Sequence, residues 1–141
     1  MRMVSRFDHV VIGVRDLDAA IRRYQHLGFD VRPGGRHTGR GTHNALIRFG
    51  LDYIELLSVY DATEAEATGQ RRQNILKWLQ EREGLLLGYA LATTDIDYEA
   101  ERLRNTELLV QEPFAMQRRR PDGHLLTWRL LLPGGDSWRR P

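Results

Sequence analysis

A chain of 141 residues with net charge +2, 41% hydrophobic and 28% charged, has the size and balance of one globular domain with a real core. The absence of cysteine excludes disulfides, thiolate metal sites and a cysteine nucleophile, and fits a cytoplasmic setting. The twenty arginines and single lysine are scattered except at Arg118-Arg119-Arg120, so no nucleic-acid footprint is expected; no apolar run reaches the roughly 18 residues of a membrane span.

In chain order, residues 7–14 read as a strand, with Val10, Ile12 and Val14 on one side and Phe7, His9, Val11 and Gly13 on the other. Asp16 is a good N-cap for a helix striped by Leu17, Ile21 and Tyr24 and ended by Gly28. Phe29 to Arg32 reads as a short second strand. Pro33 to Thr42 reads as a solvated loop with four glycines, in which Arg36, His37 and Arg40 could meet an anion. It is not a phosphate loop, since neither Lys-Ser/Thr nor a helix follows. His43 to Phe49 and Tyr53 to Val59 read as strands joined by the turn Gly50-Leu51-Asp52. His43, Ala45, Ile47 and Phe49 share one face of the first; Tyr53, Glu55, Leu57 and Val59 share one face of the second. Asn44 then faces away from His43. Asp61 to Gly69 reads as an acidic linker, and Gln70 to Glu83 as a helix.

The beginning then recurs. Leu85 to Thr93 is a strand, and Asp95 caps a helix striped by Ile96, Ala100 and Leu103, at a constant offset of 79 residues from the first unit. Strands follow at Leu108 to Phe114 and His124 to Leu132, around the turn Pro121-Asp122-Gly123. With a two-residue insertion, His43 falls on His124 and Ile47 on Trp128. This is a duplicated βαβββ unit. The expected organisation is a single α+β domain over 1–141: unit one 6–60, linker and extra helix 61–84, and unit two 85–141. Unit two is incomplete, because LPGGDSWRRP stands where the counterpart of LDYIELLSV would begin.

A histidine on an apolar strand is commonly a hydrogen-bonded core residue. A carboxylate in mid-strand is rarely buried without a partner. Glu55 therefore shifts the reading of His9 away from a plain core residue.

A duplicated βαβββ headed by FDHVVIGVRDLDAA, with GTHNALIRFGLDYIELLSV closing its first unit, resembles the vicinal oxygen chelate superfamily, most closely its glyoxalase-like domain group. The resemblance implies a cupped mixed β-sheet with helices outside and the cleft inside the cup. It also implies four metal-ligand positions, on the first and last strands of each unit: His9, Glu55, Gly88, and one on the absent eighth strand. His9 and Glu55 would ligate a divalent ion (zinc, nickel, manganese or iron), with His43 in support. Glycine offers no side-chain donor, and catalytic zinc usually needs three protein ligands. Without a metal, His9 would act as base and Glu55 as its orienter.

The implied function is a small-molecule enzyme of lyase, isomerase or dioxygenase type. The alternative is a metal-free binding protein that sequesters an apolar or aromatic compound. Gly88, Ala90 and Ala92 would leave room in the cup; Leu126 and Trp128 would face Phe7, Val11, Tyr53 and Leu57; His43 and His124 would add polar groups. A third possibility is a regulatory domain with a vestigial cleft. Open sheet edges favour a homodimer.

Overall fold

The computed structural model describes residues 4–134. In chain order the elements are β1 (Val4–Val14), α1 (Leu17–His26), β2 (Val31–His37), β3 (Thr42–Phe49), β4 (Asp52–Val59), α2 (Ala62–Glu66), α3 (Gln70–Glu81), β5 (Gly84–Thr93), α4 (Ile96–Arg104), β6 (Phe114–Arg119) and β7 (Leu125–Leu130). The class is α+β. Seven strands form one curled mixed sheet in the order β5-β1-β4-β3-β2-β6-β7. β1 and β4 run parallel, and every other pair is antiparallel.

The repeat seen in the sequence has a structural counterpart. Asp16 and Asp95, 79 residues apart, each cap a helix: Asp16 accepts from the Ala19 amide at 2.9 Å and Asp95 from the Tyr98 amide at 3.0 Å. Each bond satisfies one of the amides a helix start leaves open.

One face of the first unit's sheet packs on α1. Val14, Leu17, Val31, Ala45, Ile47 and Leu56 form this core, with Ile12, Ile21, Tyr24 and Ile54 at its margin. The opposite, concave face carries His9, Val11, Asn44, Leu46, Glu55 and Leu57. Register fixes this assignment: Asn44 lies opposite Leu57, Leu46 opposite Glu55, and Val11 beside Glu55. Because both faces are buried, β3 is apolar or small on both sides, with Thr42, Asn44, Ala45, Leu46 and Ile47 all buried.

Four elements differ from the sequence expectation. β2 runs through Pro33, Gly34 and Gly35 to His37, with a bulge between Pro33 and Gly35, so only residues 38–41 form the turn. The expected acidic linker contains α2, because Asp61 caps it by accepting from the Glu64 amide at 2.9 Å. β6 begins at Phe114 rather than Leu108: Pro113 has no N–H to donate to a ladder, and Leu108 and Leu109 are exposed. A bulge between Phe7 and His9 breaks the alternation of β1, so Phe7 stacks on exposed Tyr89, 6.4 Å between centroids, instead of lining the cup.

Among the described residues no sheet strand follows β7; the chain makes a single bridge, Val110 to Pro133. Trp138 and the rest of 135–141 lie outside the described residues. None of the described helices is long and apolar enough to cross a membrane.

Candidate functional site

The concave face gathers polar groups around one carboxylate. Glu55, in the middle of β4, is buried, and its two oxygens have different partners. Oε2 lies 3.3 Å from His9 Nε2 on β1. Oε1 accepts from Asn44 Nδ2 on β3 at 3.0 Å and lies 3.8 Å from His37 Nε2 on β2. Parallel pairing of β1 with β4, and antiparallel pairing of β3 with β4, bring these side chains to one place.

His9 is held from both sides. Its Nδ1 lies 2.7 Å from Asp8 Oδ2, and the Tyr53 ring stacks on it at 4.5 Å and 12°. Burial alone would lower the His9 pKa. The hydrogen bonds to Glu55 and Asp8, and the charges of both, outweigh it and raise the pKa above its ordinary 6.5. The protonated ring donates from both nitrogens, one to each carboxylate. Burial would also raise the Glu55 pKa, but the His9 hydrogen bond leads a set of opposing interactions that holds it below its ordinary value. The Tyr53 hydroxyl is pushed up by burial and by the charges of Glu55 and Asp8, so it stays neutral.

His37 behaves oppositely. Burial, only partly opposed by Glu55, lowers its pKa to about 4. At neutral pH it is an uncharged imidazole, so it adds no positive charge beside Glu55. Its Nδ1 lies 2.9 Å from Thr42 Oγ1 and its Nε2 lies 3.4 Å from Asn44 Nδ2. The consistent pattern has Nδ1–H donating to Thr42 and Nε2 accepting from Asn44. Both protons of the Asn44 amide are then used, one toward Glu55 and one toward His37. Asn44 Oδ1 is buried with no hydrogen-bond partner. It presses on Gly34, where an added Cβ would sit 2.0 Å from it. Buried Arg118 on β6 donates to the Gly34 carbonyl. It lies beside His37 in the ladder and joins the second unit to the network.

Of the residues singled out in the sequence, His9, Glu55 and Tyr53 come together. Leu57 lies on the same face, opposite Asn44. Trp128 meets the His37 ring edge-on at 6.0 Å. Gly88 lies opposite Val11, and Ala90 opposite His9, so β5 brings small residues beside the pair. His43 and His124 are placed elsewhere. His43 lies opposite Ser58 on the α1 side and tilts against Tyr60, while Asn44 takes the inward position. The phase is reversed from expectation because both faces of β3 are buried, which leaves the pattern without a signature of which side is inward. His124 sits exposed at the β6–β7 turn, its amide donating to Asp122.

His37, Asn44, Asp8 and Arg118 complete the network without having been picked out as its members. His37, two strands from Glu55, becomes a recognisable partner only once β2 is extended to residue 37.

The donor set bears on a metal. Among the described residues no three ligating side chains converge as a metal site. One imidazole and one carboxylate do not make the three-ligand set of a catalytic zinc, and Gly88 adds no donor.

A family described as glyoxalase-like domain matches residues 7–141. No curated protein matches significantly. Among solved structures, a hypothetical protein from Staphylococcus aureus superposes with a TM-score of 0.76 at 24% identity, over 90% of this chain and 52% of that one. The chain thus spans about half the length of that protein. Methylmalonyl-CoA epimerase from Mycobacterium tuberculosis gives 0.64 at 24% identity, over 92% of this chain and 89% of that one. The Streptomyces coelicolor methylmalonyl-CoA epimerase, solved with 2-nitronate-propionyl-CoA, gives 0.61 at 24% identity, over 90% and 88%. At these identities the likeness is one of fold.

Proposed function

The chain belongs to the glyoxalase-like domain family, within the vicinal oxygen chelate superfamily of small-molecule enzymes, and from that premise we propose that His9 and Glu55 move a proton in an isomerase- or lyase-type reaction. The observation that carries this reading is the buried Glu55 carboxylate bonded to His9 on the concave face, with His9 bonded in turn to Asp8. Such a chain of partners orients an imidazole and tunes its proton affinity.

In this reading neutral His9 donates its Nδ1–H to Asp8, and Nε2, released from Glu55, takes a proton from a carbon next to a carbonyl. Asp8 holds the ring, and the Glu55 carboxylate beside it stabilises the imidazolium that results. Return of the proton to the carbanion completes an isomerisation; departure of a β-substituent from the same carbanion completes an elimination. His9 must first be neutral to act as base, so the rate should rise with pH through its raised pKa. A metal-dependent form, with zinc, nickel, manganese or iron on His9 and Glu55, requires a further donor. The small residues Gly88 and Ala90 beside the pair favour the second reading, a protein that binds an apolar compound without turnover. We place the protein in the cytoplasm, on its cysteine-free composition, and as a homodimer, on its exposed edge-strand residues Leu86, Tyr89 and Leu91.

The test is solvent deuterium exchange. Small carbonyl acids and thioesters, beginning with the methylmalonyl-CoA named by the structural neighbours, are incubated in D2O with and without each ion. Loss of the α-proton signal is followed by NMR. Exchange that falls about 100-fold or more in His9→Ala supports the reading. Binding of a compound with no exchange in any condition supports sequestration instead.

A further inference from the structure

We propose that Arg118, with Arg48 beside it, is the substrate-binding element of the His9–Glu55 site and holds a carboxylate, so that the compound acted on is a small carbonyl acid. This names the substrate class for the proton-transfer reading and rests on it.

The strand ladder places the side chain. Arg118 lies opposite His37 in the β2–β6 pair and opposite Leu126 in the β6–β7 pair. Residues opposite each other in an antiparallel pair project from the same face, and His37 reaches to within 3.8 Å of Glu55 Oε1. Arg118 therefore stands on the concave face. Met116, two residues earlier on β6, shares that face and pairs with Trp128, an apolar wall that suits the body of the acid.

The guanidinium is buried, yet its charge has no partner. Arg118 is 7% exposed, and among the described residues no carboxylate lies within ion-pair distance of it. Nη1 donates to the Gly34 carbonyl. Nε and Nη2 have no partner among the described residues, and neither is among the fully enclosed side-chain atoms that lack one, so both reach open space. Nε–H and Nη2–H are the parallel pair along one edge of the guanidinium, the edge that takes both oxygens of a carboxylate. A buried cation without a counter-ion is costly, and a bound carboxylate supplies one.

A second arginine stands on the same face. Arg48, Tyr53 and His9 are side by side across β3, β4 and β1. The Arg48 guanidinium carbon lies 5.2 Å from the Tyr53 ring centroid, and that ring stacks on His9. Arg48 is exposed and has no carboxylate partner among the described residues. Burial depresses the Arg118 pKa, and Glu55 leads the charges that oppose this, so the guanidinium and the Glu55 carboxylate are within electrostatic reach of each other. A carboxylate entering the cup meets the negative charge of Glu55, and the two arginines offset it.

Calorimetric titration of the full chain with pyruvate and with levulinate, each against its neutral methyl ester, tests this. At least one acid should bind at a single saturable site, about tenfold or more tighter than its ester, the factor that one charge-assisted hydrogen bond contributes. Arg118→Gln should abolish that preference. Arg48→Gln replaces an exposed residue, so it should fold even if Arg118→Gln does not, and it should weaken acid binding and its sensitivity to sodium chloride. Equal affinity for acid and ester overturns the inference. So does the absence of saturable binding by either acid, an affinity for inorganic phosphate above that for both acids, a folded Arg118→Gln that keeps the preference, or unchanged acid binding in Arg48→Gln. Deuterium exchange at the carbons next to the carbonyl separates this from the reading it rests on. An acid that binds as stated without exchanging leaves the carboxylate site standing and sinks the proton transfer; exchange as fast on the ester as on the acid does the reverse.

Discussion

Acidification should destabilise this protein through His37, whose burial opposes its proton. In the unfolded chain a histidine binds its proton near pH 6.5; buried here among Asn44, Thr42 and Arg118, His37 does so only at about 4. A folded-state pKa below the unfolded value means the unfolded chain binds the proton first. The contribution is therefore present above pH 6.5 and lost as pH falls toward 4. The gap corresponds to about 3 kcal/mol in full, most of which is lost between pH 7.5 and 4.5. Glu55 loses its own contribution lower, as pH falls through a folded pKa below 4.5. His9 has the opposite sign: its stabilisation is complete below pH 6.5 and is lost as pH rises through its raised pKa. Urea unfolding followed by circular dichroism across this range, on the wild type and His37→Gln, separates these groups, because the difference between the two proteins retains only His37. Glutamine keeps an acceptor for Asn44 and cannot titrate. The wild type should be the more stable at pH 7.5, with most of that gap closed at pH 4.5. Parallel curves over this window would refute the assignment of His37 as a buried neutral imidazole.

Gly34→Ala should destabilise by about 1–3 kcal/mol, because its Cβ would sit 2.0 Å from Asn44 Oδ1 and 3.2 Å from Arg118 Nη1; thermal unfolding measures this, and a neutral result would mean the network moves aside freely. Leu56→Ala empties a fully buried site in the α1 core and should cost about 2–5 kcal/mol by the same assay. Light scattering after size exclusion should give the mass of a dimer at micromolar concentration; a monomer would contradict the pairing proposed for the sheet edges.

The fold was legible wherever the sequence repeats itself. Asp16 and Asp95, with matching apolar stripes behind them, announce two helices of one kind, and the strands before them follow. His9 and Glu55 were legible for a different reason: each is polar in a run that is otherwise apolar. The rest of the site was hidden by three local effects. Pro33-Gly34-Gly35 has the composition of a loop, yet the glycines serve a bulge and close contacts with Asn44 and Arg119, so β2 continues to His37. On β3 both faces are buried, so alternation alone could not tell His43 from Asn44. Arg118 sits in a charged run that looks solvated, yet it is 7% exposed because its ladder neighbour is His37 and its donor reaches the Gly34 carbonyl. The α2 helix was masked by an acidic composition whose first residue, Asp61, turned out to be its cap.

Asp8 and the buried Glu55 carboxylate hold the His9 ring between them and raise its proton affinity, which poises it to exchange a proton. Long-range proton–nitrogen NMR of the imidazole rings, recorded against pH for the wild type and Glu55→Gln, tests it most directly. His9 should titrate above 6.5 in the wild type and markedly lower in the variant, with its Nδ1 still bonded to Asp8. A His9 that titrates at or below 6.5, or that titrates alike in both proteins, would contradict it.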